Sequence, residues 1–375
     1  MRPIVFCFDS ENVHEKAIAM GELFGRCHAI RWVLEHVLRF NSPVLSQTIA
    51  GIHFANPLGL AAGFDYEARL TQVTKSIGFG FSTVGTITNL LYEGNKKPRL
   101  GRLVQSRSLV VNKGFKNLGI DETLVRLART RSVKKTSNFP IPVGISIGKT
   151  NTVAHTTQQQ GIDDIISAFT KVEANASGTA ALRVPFSYYE LNISCPNLHG
   201  PIEFYSPSRL EELLTSVFKI KLTRPVFIKM PIVKTNEETL GMLAVIARFP
   251  VVGVIIGNLY GDRAHPAIVQ KELVAYPKGG LSGMATQQRS DELIGLVYAN
   301  FGKRFTIIGC GGVFSAADAY RKIRSGASLV QFITGMIFEG PQLPAAINEG
   351  LTQLLKKDGF KNIKDAVGAD FQHVK

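Results

Sequence analysis

Amide side chains flank a thiol at the end of one apolar, strand-like segment. The segment 188–194 leads into Asn192-Ile193-Ser194-Cys195-Pro196-Asn197. Amides both donate and accept hydrogen bonds, so this spacing suits a planar ligand with paired carbonyl and N–H groups. A cysteine beside proline at a strand end can be a structural thiol, but it is also well placed to act as a base. We therefore interpret Cys195 as a candidate base.

Lys229 places a cation inside the otherwise apolar segment 225–232. Lysine is rarely buried without a partner. Two interpretations are open: an ion pair inside the fold, or a positive charge that faces an anionic cofactor or reaction intermediate. We favour the second.

Three glycine clusters follow or precede strand-like segments, at 278–283, 309–315 and 334–335. Glycine lets backbone N–H groups approach a phosphate closely, and a helix N-terminus adds a favourable dipole. One such cluster is weak evidence because turns use glycine anyway. Three together predict a phosphate-bearing ligand, such as a mononucleotide cofactor.

Strand-like segments alternate with helical patterns and would bring these candidates to one rim. A barrel of eight βα units fits the span from 58 to about 356 and collects functional residues at the C-terminal ends of its strands. A doubly wound open sheet needs a glycine-rich dinucleotide turn after its first strand, which the sequence lacks. We therefore predict an α/β chain with the (β/α)8 TIM-barrel fold. The predicted strands are 58–64, 80–88, 142–149, 188–194, 225–232, 251–258, 305–312 and 328–335, and helices are predicted at 161–175, 208–220, 237–248, 286–300 and 315–325, the last with Ser315 as N-cap.

Two short amphipathic helices are predicted within 10–40, ahead of the barrel. The predicted domains are an N-terminal helical extension at 1–45 and the barrel at 46–375. The extension is interpreted either as a cap packed on the barrel or as a peripheral membrane contact, because both need an apolar stripe. The expected stripe consists of Val13, Ala17, Met20, Phe24, Ile30, Val33, Leu34, Val37 and Leu38.

The composition limits the class of protein. With 375 residues and 45% hydrophobic side chains, the chain is too apolar for disorder. Its four cysteines form no CxxC pair, so neither a disulfide framework nor a zinc site is expected, and Cys7, Cys27 and Cys310 are predicted to be packing residues. No apolar run is long enough to span a membrane. The predicted location is intracellular, either cytoplasmic or peripheral on the cytoplasmic membrane face.

The formal net charge of +14 is concentrated in one part of the chain. Residues 91–150 contain thirteen Lys or Arg side chains and three acidic ones. The tract 129–135 is interpreted as a solvated helix face. No nucleic-acid recognition motif accompanies the charge, so we predict no nucleic-acid partner. Instead, Arg99, Arg102, Lys113 and Lys116 are expected near the barrel mouth, where they would attract an anionic carboxylate substrate.

These motifs together resemble the dihydroorotate dehydrogenase family over about residues 11–350. The N-terminal helical pair, KPRLGRL and GASLVQ resemble the quinone-dependent, membrane-associated class 2. ELNISCPN resembles the soluble class 1, whose base is cysteine where the quinone class has serine. The matching segments occur in family order as ENVHEKA, NPLGLAAGFD, GFGFSTVGTIT, GNKKPRLGRL, GFKNLG, IGKT, ELNISCPN, FIKMP, GNLYGDR, KGGLSG, GCGGVFSAADAY and SGASLVQFITGMIFEGP.

The resemblance implies FMN-dependent oxidation of (S)-dihydroorotate to orotate in pyrimidine biosynthesis, with quinone as electron acceptor. Cys195 would remove the C5 proton while hydride leaves C6 for the flavin, and Lys229 would stabilise negative charge on the reduced flavin. Since a thiol titrates nearer neutrality than a hydroxyl, Cys195 is expected to be a competent base.

The resemblance also assigns residues to each ligand. The cofactor-binding set is Ala62, Gly63, Tyr66, Thr86, Ser146, Asn192, Lys229, Gly257, Gly283, Gly311, Gly312, Thr334 and Gly335. The substrate-binding set is Asn112, Gly114, Phe115, Asn192, Asn197 and Asn258. His14 and Arg102 match positions along the quinone tunnel, and no metal is implied.

Several substrate-side positions depart from the family pattern. A lysine expected after AAGxD is replaced by Tyr66, which removes a cation expected near flavin and substrate. The asparagine that opens the NRMGF-type motif aligns with Val111, and a one-residue register shift would let Asn112 restore that amide. Each polar partner lost costs about 1–3 kcal/mol of affinity where the remaining group stays buried and unpaired. Further replaced positions are Ser146, Leu259 and Ile333.

Three functions are therefore weighed. The first is dihydroorotate oxidation with Cys195 as base and quinone as acceptor. The second keeps the flavin barrel but acts on another cyclic amide or an enoyl compound. The third is a non-catalytic relative that binds a ligand or partner. The first is favoured. The intact cofactor motifs support a flavin enzyme, and the altered substrate motifs keep the second function open.

Overall fold

Two helices form the beginning of the described chain. The computed structural model describes residues 6–134, 139–177, 184, 186–200 and 202–371. Its first helices are α1 (Ser10–Arg26) and α2 (His28–Leu38). Within this described part, no helix combines the length and the apolar character needed to cross a membrane.

The extension packs on the barrel through a few apolar contacts. Ile18 of α1 is buried in a cluster that includes Leu58 and Leu60 of the barrel. Gly21 permits the close approach, because a Cβ there would lie 2.6 Å from the Leu70 Cδ2 atom. No residue of α2 is buried. The packing of α1 is the one expected for a cap on the barrel. The domain boundary between residues 45 and 46 stays a prediction.

A short antiparallel hairpin follows, formed by β1 (Gln47–Ile49) and β2 (Ile52–Phe54). Phe54 of this hairpin packs edge-on against Phe81, with ring centroids 5.3 Å apart. Phe81, Tyr188 and Phe227 belong to the same buried cluster inside the barrel. These aromatic side chains close the N-terminal end of the barrel, so the opposite end carries the site.

A closed barrel of eight parallel strands forms the centre of the described chain. In spatial order, its strands are β3 (Leu58–Leu60), β4 (Phe81–Ile87), β7 (Val143–Ile147), β8 (Tyr188–Asn192), β9 (Val226–Met230), β10 (Gly253–Ile256), β12 (Thr306–Cys310) and β13 (Leu329–Phe332). The last strand, β13, pairs again with β3 and closes the barrel. The predicted (β/α)8 fold and all eight predicted strands are confirmed. Each strand ends before its predicted segment does, because the last predicted residues form the turns above the barrel.

Helices cover the outside of the barrel. The five predicted helices are confirmed, with bounds that differ by at most three residues. Ser315 caps its helix as predicted, since its side chain accepts a hydrogen bond from the backbone N–H of Asp318. The helices are α3 (Ile120–Lys134), α4 (Gln158–Ser177), α5 (Pro207–Val217), α6 (Asn236–Ile246), α7 (Gln287–Phe301), α8 (Ala316–Arg324), α9 (Thr334–Glu339) and α10 (Leu343–Lys357).

A three-stranded antiparallel sheet covers part of the barrel mouth and was not predicted. It consists of β5 (Leu100–Leu103), β6 (Ser108–Val111) and β11 (Gly280–Gly283), in the order β11-β6-β5. The long connection after β4 supplies the first two strands. The glycine cluster at 278–283 supplies the third, so part of this cluster is an edge strand.

Two cysteines differ from their prediction as packing residues. Cys7, ahead of α1, and Cys27, between α1 and α2, are both exposed. Arg129, at the start of the tract predicted to be solvated, is exposed on α3. The side chains of residues 131–135 lie outside the described part of the chain.

Candidate active site at the barrel mouth

A large cavity lies at the C-terminal ends of the barrel strands. It encloses about 1220 Å³ free of protein atoms, its open mouth included. Helix α1, the strands β6 and β11, and the loops after the barrel strands contribute to its wall.

Most of the predicted site residues meet at this cavity. Residues from the cofactor, substrate and acceptor sets line one continuous space. Those that line it are His14, Ala62, Gly63, Tyr66, Thr86, Gly114, Phe115, Asn192, Cys195, Asn197, Lys229, Gly257, Asn258, Gly283, Gly311, Gly312, Thr334 and Gly335.

Asn112, a predicted substrate contact, lies outside the cavity wall. Its side-chain oxygen accepts a hydrogen bond from Asn95 Nδ2 at 3.0 Å. Val111 pairs in register with Leu100 and Gly280 and itself lines the cavity. The strand register therefore holds, and the register shift that would restore the missing amide does not occur.

Ser146 and Arg102 also lie outside the cavity wall. Ser146 is fully buried below it, where its hydroxyl donates to Glu190 Oε1 at 2.7 Å and lies 2.9 Å from the Thr86 hydroxyl. Arg102 turns toward the chain ahead of α1. Its guanidinium donates to the backbone oxygens of Phe6 and Phe8 and lies 4.8 Å from the Phe6 ring centre. These two side chains therefore do not line the cavity, and their contacts to cofactor and quinone stay predictions.

The amides around Cys195 are held by one another. Asn192 Nδ2 donates to Thr86 Oγ1 at 2.8 Å, and its oxygen accepts from the Ser194 hydroxyl at 3.0 Å. Asn258 Nδ2 donates to the same Ser194 oxygen at 2.7 Å. These bonds fix Asn192 and Asn258 beside the thiol. Ser194 is the link that the sequence did not single out.

The environment of Cys195 opposes ionisation. Burial raises the pKa of its thiol to about 12, although the backbone N–H of Asn197 and the charge of Lys229 act in the opposite direction. The thiol of Cys195 is therefore protonated at neutral pH, and its role as a base stays a prediction. Burial disfavours the charged form of an acid, and here it outweighs the single nearby cation.

Lys229 combines both interpretations of a buried lysine. Its Nζ lies 3.8 Å from Glu190 Oε1, and the side chain also lines the cavity. Burial alone would lower its pKa, but the charge of Glu190, together with smaller effects of Cys310 and Cys195 and the hydrogen bond to Glu190, outweighs burial and the pKa of Lys229 is raised. Lys229 is therefore a protonated cation at the cavity. Glu190 gave no signal in the sequence, because one acidic residue in an apolar strand has several explanations.

A cluster of charged residues joins α1 to the cavity. Lys116 donates to Glu15 at 2.7 Å, and the Tyr66 hydroxyl donates to the same carboxylate at 2.5 Å. Arg99 binds both oxygens of Glu11 at 3.0 Å. Arg99 was expected at the mouth as an anion attractor, but this carboxylate holds it. The acidic partners on α1 were missed because the extension is neutral overall.

His14 lies next to this cluster and is neutral. Burial, together with the charge of Lys113, lowers the pKa of His14 to about 3. Its ring stacks on Tyr66 with centroids 5.5 Å apart and meets Phe64 edge-on at 4.9 Å. Its Nε2 is buried and has no hydrogen-bond partner among the described residues. An incoming ligand at this end of the cavity can supply one.

The turn after β12 and the start of α9 form another wall. Gly311 and Gly312 have φ values of +119° and +66°, a region that favours glycine. Side chains would also clash there, since a Cβ on Gly312 would lie 2.3 Å from Gln287 Cβ. The Ser282 and Thr334 hydroxyls lie 2.8 Å apart beside this turn. Cys310, predicted to be a packing residue, packs against a buried apolar cluster and also lines the cavity.

Three lysines and no carboxylate line the cavity within the described part of the chain. They are Lys113, Lys116 and Lys229. This charge balance favours an anionic ligand. Across the same described ranges, no group of three or more His, Cys, Asp or Glu side chains is arranged to hold a metal ion.

Comparisons with known proteins agree with this geometry. The family model described as dihydroorotate dehydrogenase matches residues 44–355. A protein of Sphingopyxis alaskensis named dihydroorotate dehydrogenase (quinone) is 35% identical over 371 residues, covering 98% of this chain and 95% of that protein. A protein of the same name from Sulfurimonas denitrificans is 34% identical over 376 residues, covering 99% and 98%.

Solved structures show the same architecture. The crystal structure of the dihydroorotate dehydrogenase of Eimeria tenella in complex with ferulenol superimposes with a TM-score of 0.79 at 26% identity, covering 96% of each chain. The ligand-free form of the Eimeria tenella protein gives the same TM-score and covers 93% of this chain and 99% of that one.

Proposed function

Since this chain belongs to the dihydroorotate dehydrogenase family, we propose that it oxidises (S)-dihydroorotate to orotate with FMN and passes the electrons to a quinone. It is an oxidoreductase acting on CH–CH donors. The observation that carries the specific proposal is the joint placement of Cys195, three asparagine amides and Lys229 around one cavity. Each of these groups has a task in such a reaction.

The residues present fit FMN. Gly63, with φ +111°, faces the cavity, and a Cβ there would meet only Ile333 Cδ1 at 3.6 Å and otherwise fill the space. The glycine turn at Gly311 and Gly312 and the Thr334 hydroxyl suit a phosphate. When bound, FMN supplies a two-electron acceptor for the substrate and a donor for the quinone. The proposed holding set is Ala62, Gly63, Tyr66, Thr86, Asn192, Lys229, Gly257, Gly283, Gly311, Gly312, Thr334 and Gly335.

Cys195 acts as the base in this proposal. Its thiolate takes the C5 proton of the substrate and becomes the thiol, while Asn192, Asn197 and Asn258 hold the ring amides by hydrogen bonds. With its raised pKa, the thiol is protonated at rest, so the rate depends on the small thiolate fraction. Lys229 supplies a fixed positive charge that stabilises negative charge developing in the cavity.

The proposed acceptor end of the cavity lies at His14. Phe64 meets the His14 ring edge-on, and Leu100 and Ile337 add apolar surface to the same cavity. The neutral His14 ring can hydrogen-bond a quinone carbonyl through its unpartnered Nε2. Ile333 also lines this end, where the family resemblance implies a tyrosine, so His14 is the polar contact that the proposal assigns to the quinone.

The outer face of the extension suits a peripheral membrane contact. Met20 and Leu23 of α1 and Trp32, Val33 and Val37 of α2 are each at least half exposed. Only part of the expected stripe turns inward, notably Phe24 and Leu34, which pack against the barrel cluster. An exposed apolar patch of this kind often marks an interaction surface. A quinone dissolved in lipid would then enter beside α1.

A different substrate remains a candidate because two positions in the cavity wall depart from the family pattern. Val111 and Leu259 line the cavity where the family resemblance implies polar side chains, and Asn112 is turned away. A cavity with fewer polar partners discriminates less strongly for a ring rich in amides. Another cyclic amide or an enoyl compound is therefore the alternative substrate.

One assay tests these candidates together. The purified protein is expected to be yellow, to release FMN on denaturation and to form orotate from dihydroorotate when a short-chain quinone is present. Orotate formation with fumarate or NAD but not with quinone contradicts the proposed acceptor. Reduction by another cyclic amide, with no response to dihydroorotate, selects the second candidate. Colourless protein that takes up no FMN contradicts both.

A further inference from the structure

Tyr66 stands where the family resemblance implies a lysine, so a cation expected near the substrate is missing from that position. The structure places another lysine beside it. Lys113 Nζ lies 4.4 Å from the centre of the Tyr66 ring and 3.4 Å from its hydroxyl oxygen. Lys113 comes from the turn after β6 and lines the cavity. Lys113 and Tyr66 are far apart in the sequence, but their side chains are in contact.

Lys113 is the least neutralised of the three cavity lysines. Lys116 binds Glu15 at 2.7 Å, and Lys229 lies against the fully buried Glu190. Lys113 has its nearest described carboxylate, Glu11 Oε1, at 4.0 Å, and that carboxylate is already engaged by both of its oxygens with Arg99. Only 9% of the Lys113 surface is exposed. A buried cation without a close anion favours an anionic ligand.

We propose that Lys113 replaces the missing lysine as the residue that binds the carboxylate of the substrate and so selects anionic pyrimidines over neutral ones. The inference rests on the proposed function and adds a specificity-determining residue to it. The Tyr66 ring forms the platform below the ammonium group, and its hydroxyl is held by Glu15. The carboxylate of the bound substrate supplies a close counter-charge, because the nearest described protein carboxylate lies 4.0 Å from the ammonium group.

The ammonium group should titrate within an accessible range. Burial, against the charge of Glu11, lowers the pKa of Lys113 to about 8. Affinity for an anionic ligand should therefore fall as the pH rises through about 8. The charged and titratable groups around Lys113 are Glu11, His14 and Glu15 on α1, Tyr66 after β3, and Arg99 and Lys116 on the connection that carries it.

Ligand binding to the FMN-loaded protein tests the proposal without turnover. Calorimetry would measure the affinity of orotate, which is anionic, and of uracil, which is the neutral ring without the carboxylate. We expect Lys113→Met to weaken orotate binding about 10- to 100-fold, the range for a hydrogen-bonded charge, and to leave uracil binding within twofold. Lys113→Arg should retain most of the affinity and move the alkaline loss of binding to higher pH.

Two further variants separate this role from a structural one. Lys96→Met removes an exposed lysine of the same connection and should change neither affinity. Lys116→Met removes a cavity lysine that Glu15 already neutralises at 2.7 Å, and we expect it to weaken orotate binding less than Lys113→Met does.

Several results would overturn the proposal. These are unchanged orotate binding by Lys113→Met, equal weakening of orotate and uracil, orotate binding weakened as much by Lys116→Met as by Lys113→Met, or loss of FMN from Lys113→Met. Wild-type protein that holds FMN but binds neither orotate nor uracil would contradict the proposed function itself, and the inference with it.

Discussion

Lys229 Nζ lies 3.8 Å from Oε1 of Glu190, a carboxylate with no exposed surface at the base of the cavity. The other carboxylate oxygen, Oε2, has no hydrogen-bond partner among the described residues. A buried carboxylate so close to the cavity reduces the positive potential that Lys229 provides. The pair therefore sets how strongly the cavity stabilises negative charge.

We expect Glu190→Gln to raise the midpoint potential of the bound flavin. The substitution keeps the size of the side chain but removes one negative charge, and the shift should be on the order of tens of millivolts at an effective dielectric constant of about 20. Anaerobic redox titration measures it, with the exposed Glu237→Gln as control. A lower potential, or an unchanged one, would show that Glu190 does not act through Lys229.

Cys195→Ala should keep flavin and lose its reduction by dihydroorotate, by about 10²- to 10⁴-fold as for removal of a general base. Because burial raises the pKa of Cys195 to about 12, the rate of flavin reduction in the wild-type protein should rise steadily with pH up to the alkaline limit of stability. Stopped-flow absorbance measures both effects. Wild-type speed in the alanine variant contradicts the assigned base, and a plateau near neutral pH contradicts its high pKa.

His14→Ala should slow reoxidation of the reduced flavin by quinone without slowing its reduction by dihydroorotate. The ring is neutral, since burial and Lys113 lower its pKa to about 3, so the quinone step should show no titration attributable to His14 between pH 5 and 8. Double-mixing experiments separate the two half-reactions. If the variant slows only the reduction of flavin by dihydroorotate, His14 acts on the substrate and not on the quinone.

Glu15 should make the docking of α1 sensitive to acid. Burial would raise its pKa, but hydrogen bonds from Lys116 and Tyr66 outweigh burial and lower it from 4.5 to about 2. Its stabilising effect is therefore complete above about pH 4.5 and is lost as the pH falls toward 2. The melting temperature of the wild-type protein should exceed that of Glu15→Gln at pH 7, and the difference should vanish in acid. A difference that grows on acidification has the wrong sign, and the exposed Glu93→Gln serves as control.

Val37→Asp should weaken binding to uncharged phosphatidylcholine vesicles. Val37 is 72% exposed on α2, and Trp32, the one tryptophan of the sequence, lies on the same helix. A blue shift of tryptophan emission on vesicle addition should occur in the wild-type protein and be reduced in the variant. Val153→Asp, at an equally exposed site on the barrel, should have no effect. Equal binding by all three proteins contradicts a membrane role for the extension.

The fold could be predicted from the sequence because its signals are local and repeated. Each barrel strand is a short apolar run that ends in glycine or polar residues, and each neighbouring helix has its own period. The sheet of β5, β6 and β11 was missed because β11 pairs with a strand about 170 residues earlier. No local pattern in KGGLSG distinguishes an edge strand from a turn.

Motif order placed most candidate residues correctly at the cavity, whereas side-chain direction and electrostatics could not be predicted. Asn112 sits one residue from the cavity wall, yet strand register turns it toward Asn95. The sequence identified Cys195 as a candidate base, but the burial that raises the pKa of its thiol depends on the folded structure. The pairing of Lys116 with Glu15 depends on how α1 packs against the segment that carries Lys116. The sequence of either segment alone does not specify this packing.

The most direct test of the proposed function is one anaerobic double-mixing experiment on the purified, FMN-loaded protein. We predict that dihydroorotate bleaches the flavin absorbance, that one equivalent of orotate forms per flavin, and that a short-chain quinone then restores the absorbance. Flavin that stays oxidised in the presence of excess dihydroorotate would contradict the central claim.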